Sequence, residues 1–185
     1  MLLVQVKTVI TVGVVVFLGA GFALAVATRF SDPTSSYELA ARERGGAYLG
    51  TEGVIMQDKS NTCGPAALKM ILDVHGEKVP LQELEKSGKA SDGGWSMQSL
   101  KEIAGQYGLR AEGWRLDLAA LCRSPFPVIL FVENQHFVVV DGVDTAGFFY
   151  VRDPAIGRIK ICQRALSRIW KGETLVFGVN QALHE

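Results

Sequence analysis

The stretch from Ser60 to Leu72, SNTCGPAALKMIL, places a cysteine at the start of a helical pattern. Only the thiolate form of cysteine is a useful nucleophile, and the free N–H groups and dipole of a helix N-terminus lower the pKa of a thiol. Pro65 suits the first helical turn, where its missing N–H costs nothing, and Gly64 keeps bulk away from the sulfur. Cys63 is therefore a candidate nucleophile, beside three alternatives: a buried apolar residue, half of a disulfide, or a metal ligand.

A nucleophilic thiolate needs a histidine that pairs with it and protonates the leaving group, and a third group that orients the histidine. The chain has three histidines. His75 ends a helical pattern, and His184 lies in the last two residues. His136 opens the apolar strand pattern HFVVVDGVD, where a sheet can present a polar side chain to a helix end. We expect His136 to be the partner of Cys63, with a structural polar residue at a strand end as the alternative.

Two further residues complete the candidate set. Asp153 lies at the end of the strand pattern FFYVRD, and it can orient His136 if the two strands are neighbours, although Asp-Pro is also ordinary turn chemistry. Asp141 lies on the same strand as His136 but faces the other way, so it is discounted. Gln57, six residues before Cys63, could donate its side-chain amide to an oxyanion together with the backbone N–H of Cys63, although a glutamine in a loop is by itself no signal.

The elements that must position these residues follow a simple order, with helical patterns first and strand patterns second. Helices are expected at 63–74, at 81–86 and from the N-cap Ser96 to the stop at Gly108. Short helices are also expected at 116–122 and 164–170. The expected strands are 109–116, 128–133, 136–144, 148–152, 157–162 and 174–179. Helices followed by an antiparallel sheet are typical of an α+β domain.

The N-terminal part of the chain differs in character from the rest. Residues 8–28 carry no charge, and as a helix they would be roughly 30 Å long, the thickness of a bilayer core. We therefore expect residues 1–30 to be a transmembrane anchor, with a signal peptide cleaved after Ala27 as the alternative. Residues 31–53 are expected to be a linker, in which 37–44 could form a short helix, and 54–180 the compact domain. The domain is expected to be extracytoplasmic (periplasmic), or secreted if the segment is cleaved.

Composition excludes several classes of protein. Lysine plus arginine and aspartate plus glutamate number 19 each, and no basic stripe is present, so a nucleic-acid partner is not expected. Hydrophobic residues make up 48% of the chain, which is enough for a packed core. The three cysteines form no CxxC pair for zinc. Apart from Cys63, we expect Cys122 and Cys162 to be separate reduced thiols, with a disulfide between them as the alternative.

Six segments of the sequence resemble, in order, the peptidase C39 family. They are QDKSNTCGPAALKMIL, VPLQELEK, GGWSMQSLKEIAGQYGLRAEGWRLDLAAL, PVILFVENQHFVVVDGV, VRDPAIGR and IWKGETLVFGV. The family consists of papain-like cysteine peptidases, best known as leader-cleaving domains of bacteriocin-exporting ABC transporters. The resemblance covers about 54–179 and implies a papain-like α+β fold without cofactor or metal. It implies that the catalytic residues are Cys63, His136 and Asp153, and that the oxyanion-hole glutamine is Gln57.

The resemblance also implies a function and its partners. We expect hydrolysis of a peptide bond through a thioester on Cys63, in leader or precursor processing linked to export. The expected partners are a peptide or protein substrate, a membrane through residues 1–30 and an export machinery. The sequence lacks the GxxxxGK[ST] motif of a transporter ATPase, so a stand-alone form is expected. A non-catalytic peptide-binding accessory, an acyl transferase and a metal site built from the same side chains remain alternatives.

Overall fold

The structure, a computed structural model, describes residues 33–88 and 95–178. The anchor or signal peptide expected at 1–30 lies outside the described residues, as does His184. Within the described ranges, no helix has both the length and the apolar character needed to cross a bilayer.

Six α-helices are found in the described part of the chain, most of them where the sequence pattern predicts one. They are α1 Pro33–Glu43, α2 Cys63–Val74, α3 Leu81–Ser87, α4 Met97–Gln106, α5 Leu118–Cys122 and α6 Gln163–Ile169. The start of α4 is fixed by a capping box, because the side chain of Ser96 accepts from the Ser99 N–H and the Ser99 side chain accepts from the Ser96 N–H. The helix that carries the candidate nucleophile, α2, is almost entirely buried.

A single antiparallel sheet forms the other layer. Its strands are β1 Gly46–Gly50, β2 Ala111–Arg115, β3 Val128–Val132, β4 His136–Val143, β5 Phe148–Asp153, β6 Gly157–Cys162 and β7 Trp170–Phe177. Their order across the sheet is β1-β6-β5-β4-β3-β7-β2, and each neighbouring pair is antiparallel. The expected α+β class, with helices packed on an antiparallel sheet, is confirmed.

Both faces of the central strands are buried, which explains why β4 reads as an unbroken apolar run. Phe137 and Val139 belong to the core beneath α2, α3 and α4. Val138 and Val140 belong to a second core on the opposite face, which the short helices cover. Alternate side chains of a strand point to opposite faces, so one continuous run supplies both cores. This double burial fixes β4, and with it the position of His136 at its start.

The structure differs from the linker expected at 31–53. Within this segment α1 and β1 form, and β1 is the edge strand of the sheet, with Tyr48 opposite Ile159 on β6. Ala41 of α1 is completely buried in the second core. The segment resembles a linker in sequence because it is short, polar and rich in glycine, while its pairing partners lie more than a hundred residues further along the chain. Such a pairing leaves no local periodicity.

Candidate active site

Cys63 is the first residue of α2 and is 5% exposed. Side-chain hydrogen bonds of Thr62 stabilise the loop before Cys63. The Thr62 hydroxyl donates to the carboxylate of Asp58 at 3.0 Å and accepts from the backbone N–H of Lys59 at 3.3 Å. Pro65 lies in the first turn, as expected. The thiol is thus held at the N-terminus of a rigid, buried helix.

Gly64 has a packing role that the sequence pattern did not reveal. A Cβ atom at this position would lie 2.8 Å from the Cβ of Trp95, which is closer than real Cβ atoms approach one another. The glycine is therefore needed because Trp95 packs directly on the start of α2. This contact covers one side of the helix next to Cys63.

His136 and Asp153 meet as expected, because β4 and β5 are neighbouring strands. The His136 Nε2 atom lies 2.7 Å from Asp153 Oδ1, and the two residues are 8% and 0% exposed. Asp141 is turned away from them, and its carboxylate accepts from Arg152 Nε at 2.9 Å and from Arg152 Nη2 at 2.6 Å. The structure therefore groups Asp153, and not Asp141, with His136.

The turn before His136 has an unusual backbone. Asn134 and Gln135 both have positive φ, at 62° and 55°, a conformation that residues other than glycine rarely adopt. The two residues close the short connection between β3 and β4, in which Val132 pairs directly with His136. Strained backbone of this kind is found where the surrounding structure demands a particular geometry. Here it reverses the chain directly before His136, and no sequence pattern indicated it.

The charges of the site support one another. Burial raises the pKa of Cys63, but hydrogen bonds with His136 and with the backbone at Phe137 and Gly64, together with the charge of His136, bring the pKa below its ordinary value of 9.0. Burial lowers the pKa of His136, but hydrogen bonds and charge interactions with Asp153 and Cys63 raise it to about 9. Because Asp153 binds Nε2, the nitrogen left for Cys63 is Nδ1. The arrangement favours a thiolate beside an imidazolium.

Asp153 is kept ionised by its partners. Burial raises the pKa of its carboxyl group, but the hydrogen bond and the charge of His136, followed by the charge of Arg44, lower it below the ordinary value. The backbone N–H of Ala155 donates to Oδ1 at 2.8 Å, and Arg44 Nη1 donates to Oδ2. Arg44 lies between α1 and β1, in the segment expected to be a linker, so sequence reasoning missed it. A single arginine in a polar stretch carries no signal that would have identified it.

Gln57 lies beside the same turn. Its backbone N–H donates to the carbonyl of Pro154 at 2.9 Å, which joins the loop before α2 to the residue that follows Asp153. The side-chain oxygen is buried and finds no hydrogen-bond partner among the described residues. A cavity of about 300 Å³ opens at this point, lined by Tyr37, Pro154, Ala155 and residues 56–60. Gln57 thus lies at the wall of a cavity beside the turn that follows the buried Asp153.

The remaining cysteines do not form a disulfide. Cys63, Cys122 and Cys162 are all free thiols, which confirms the expectation for the latter two. In the ranges 33–88 and 95–178, no group of three or more His, Cys, Asp or Glu side chains is arranged to hold a metal ion.

Comparisons with known proteins agree on one family. The model of the peptidase C39 family matches residues 51–182. An uncharacterized protein of Methanothermobacter thermautotrophicus is 33% identical over 128 residues, which are 69% of this chain and 89% of that protein. The probable functional amyloid protease FapD of Pseudomonas aeruginosa is 29% identical over 137 residues, with 68% of this chain and 59% of FapD covered.

A solved structure gives the same answer for the fold. The double glycine motif protease from an AMS/PCAT transporter, in complex with the leader peptide, superposes with a TM-score of 0.64. It is 32% identical in sequence, and the match covers 71% of this chain and 96% of that one. The expected fold is therefore confirmed for the domain.

Proposed function

Because the chain belongs to the peptidase C39 family, we propose that it is a cysteine peptidase that hydrolyses a peptide bond through a thioester on Cys63. One observation carries the proposal: Cys63, His136 and Asp153 form a buried, hydrogen-bonded series in which the pKa of the thiol is lowered and that of the imidazole is raised. This is the charge state that a thiolate nucleophile and a general acid require.

The proposed reaction has two steps. The Cys63 thiolate attacks the substrate carbonyl, and the His136 imidazolium donates its proton to the leaving amine as the peptide bond breaks. Neutral His136 then accepts a proton from water, which attacks the thioester and releases the acid. Asp153 holds Nε2, so Nδ1 stays directed at the sulfur and the reacting groups keep their alignment.

Gln57 is proposed to stabilise the tetrahedral intermediate. Its amide N–H and the backbone N–H of Cys63 would donate to the oxyanion, and such a donor contributes roughly 10²–10³ to the rate. Support comes from the hydrogen bond that fixes the Gln57 backbone to Pro154, the residue after Asp153.

The proposed substrate is a leader or precursor peptide that contains a double glycine, cleaved in connection with export. The support is the 32% identity to a protease whose structure contains a leader peptide. Anchoring through residues 1–30 and action outside the cytoplasm belong to the same proposal, and they rest on the uncharged run at 8–28. Recovery of the full-length chain in alkaline-washed membranes, with the domain accessible to protease from the outer side, tests this part.

The test of the activity uses the full chain and synthetic peptides that contain a Gly-Gly pair, with products read by mass spectrometry in water enriched in ¹⁸O. We expect cleavage that is lost in Cys63→Ala and His136→Ala and retained in Cys162→Ala. The label should appear in the new carboxyl terminus, because water is the acceptor. A product joined to an added amine would show an acyl transferase instead. Binding of the peptides without cleavage would show a peptide-binding accessory and would contradict the proposal.

A further inference from the structure

Asp153 has a second charged partner besides His136. The carboxylate is completely buried. Its Oδ1 accepts from the Ala155 N–H at 2.8 Å and lies 2.7 Å from His136 Nε2. Its Oδ2 accepts from Arg44 Nη1. A buried carboxylate remains charged and fixed only if its oxygens are satisfied, so the partner on Oδ2 matters as much as the one on Oδ1.

Arg44 is built into the fold rather than placed on its surface. The backbone N–H of Arg44 donates to the carbonyl of Ala40 at 3.2 Å, at the end of α1. The next residue, Gly45, has φ of +73°, which lets the chain turn from α1 into β1. Strand β1 then pairs with β6. The backbone of Arg44 is thereby fixed between a helix end and an edge strand, and its side chain is 25% exposed.

The neighbouring packing brings this segment close to the turn after Asp153. Gly157 pairs with Asp153 across β5 and β6. A Cβ atom at Gly157 would lie 2.6 Å from the carbonyl oxygen of Gly50 and 2.9 Å from the ring of Tyr48. The end of β1 therefore lies directly on this turn. The N-terminal segment is thus in direct contact with the turn that follows Asp153.

We propose that Arg44 is a positioning residue for this site, which acts through Asp153 by keeping its carboxylate oriented so that Oδ1 faces His136. The inference rests on the proposed function only for the role of His136 and Asp153. Arg44 lies outside residues 51–182, the part that matches the family model. The segment at 33–50 is thus part of the catalytic unit and not only a connection to the N-terminus.

The matched control is Arg42, which is also on the N-terminal segment but exposed at the end of α1. Arg44→Gln and Arg42→Gln remove the same charge from the same segment. Arg44→Lys keeps the positive charge at position 44 but replaces the guanidinium with a single ammonium group. Arg44→Gln combined with Asp153→Asn tests whether Arg44 acts through the carboxylate, because a residue that acts only through Asp153 has nothing left to orient in that background.

Two measurements on the full chain report the result. The first is the rate of Cys63 alkylation by iodoacetamide at pH 6.5. The second is the low-field proton NMR signal of the His136 N–H that is bonded to Asp153. We expect Arg44→Gln to slow alkylation roughly tenfold or more and to remove the signal by faster exchange. Arg44→Lys should restore most of both, and Arg42→Gln should leave both unchanged.

The double variant decides whether the effect runs through Asp153. We expect Arg44→Gln to cause no further loss in the Asp153→Asn background. An equal loss in both backgrounds, or a wild-type rate and signal in Arg44→Gln, would overturn the inference. If Arg44→Gln fails to fold, Arg44→Lys is compared with the wild type, and the double variant, which removes both charges, is compared with Asp153→Asn alone. Slower alkylation in the double variant than in Asp153→Asn would then overturn the inference. Neither readout requires peptide cleavage, so a chain that cleaves no peptide would refute the proposed function while leaving Arg44 testable.

Discussion

Asparagine at position 153 removes the charge that faces His136 while it keeps the shape of the side chain. In the folded protein the pKa of His136 is raised from 6.5 to about 9, and the largest upward contribution comes from Asp153, followed by Cys63. The rise from 6.5 to about 9 corresponds to on the order of 3 kcal/mol of preference for the imidazolium. We therefore expect Asp153→Asn to lower the pKa of His136 by at least about one unit.

The consequence for activity follows from the direction of this shift. His136 donates a proton in the proposed reaction, so it is active below its pKa. A lower pKa moves the alkaline limb of the pH profile to lower pH.

The assay is an NMR titration of the His136 ring in ¹⁵N-labelled protein. Cys63 is replaced by alanine, so that Asp153 is the one anionic partner that still raises the pKa of His136. Asp141→Asn is the matched control, since it makes the same chemical change at a carboxylate that Arg152 binds. Thermal melts confirm that both variants are folded. An unchanged pKa in Asp153→Asn, or an equal fall in Asp141→Asn, would refute the reasoning.

Three further predictions concern the surroundings of the thiol. Gly64→Ala should lower the free energy of unfolding by roughly 1–3 kcal/mol, because the new Cβ would lie 2.8 Å from the Cβ of Trp95. Gly105→Ala, in open space within α4, should raise the free energy of unfolding by roughly 0.5–1 kcal/mol. Similar urea midpoints for the two variants would contradict this prediction. Gln57→Ala should lower kcat roughly 10²–10³-fold but leave iodoacetamide alkylation of Cys63 unchanged, because alkylation forms no oxyanion, and a parallel loss of both would be evidence against an oxyanion role. In Cys63→Ala, the stabilisation from the raised pKa of His136 is complete below pH 6.5 and is lost as the pH rises through the folded pKa. In the wild type, the lowered pKa of the thiol adds stability as the pH rises over an overlapping range, and this gain offsets part of the loss. Urea unfolding should therefore show a steeper loss above pH 6.5 in the variant, and the opposite order would contradict the assigned ion pair.

The parts of the fold that the sequence predicted are those with strong local patterns. Helix α2 begins at Cys63 and ends at Val74 as expected, because its apolar face and the glycine after it are both local signals. Strand β4 follows from an apolar run that is buried on both faces. His136 and Asp153 could be paired because β4 and β5 are consecutive along the chain and therefore tend to be neighbours.

The parts that the sequence did not predict depend on contacts between distant residues. Arg44 and Asp153 are 109 residues apart, and β1 is recognisable as a strand only through its pairing with β6. The role of Gly64 depends on Trp95, which reaches it from the segment before α4. The positive φ values at Asn134 and Gln135 lie in the short connection that pairs Val132 with His136, and of the two residues only asparagine commonly adopts such a conformation. Such features become visible only when the chain is folded.

The central claim is that Cys63 forms an acyl-enzyme, and an activated ester tests it without knowledge of the natural substrate. The full chain is mixed with an N-blocked glycyl-glycine p-nitrophenyl ester, and nitrophenol release and protein mass are followed together. We predict a burst of about one nitrophenol per chain and an acyl group on the peptide that contains Cys63, both absent in Cys63→Ala. An acyl group on Cys122 or Cys162, or no burst in the wild type, would contradict the account.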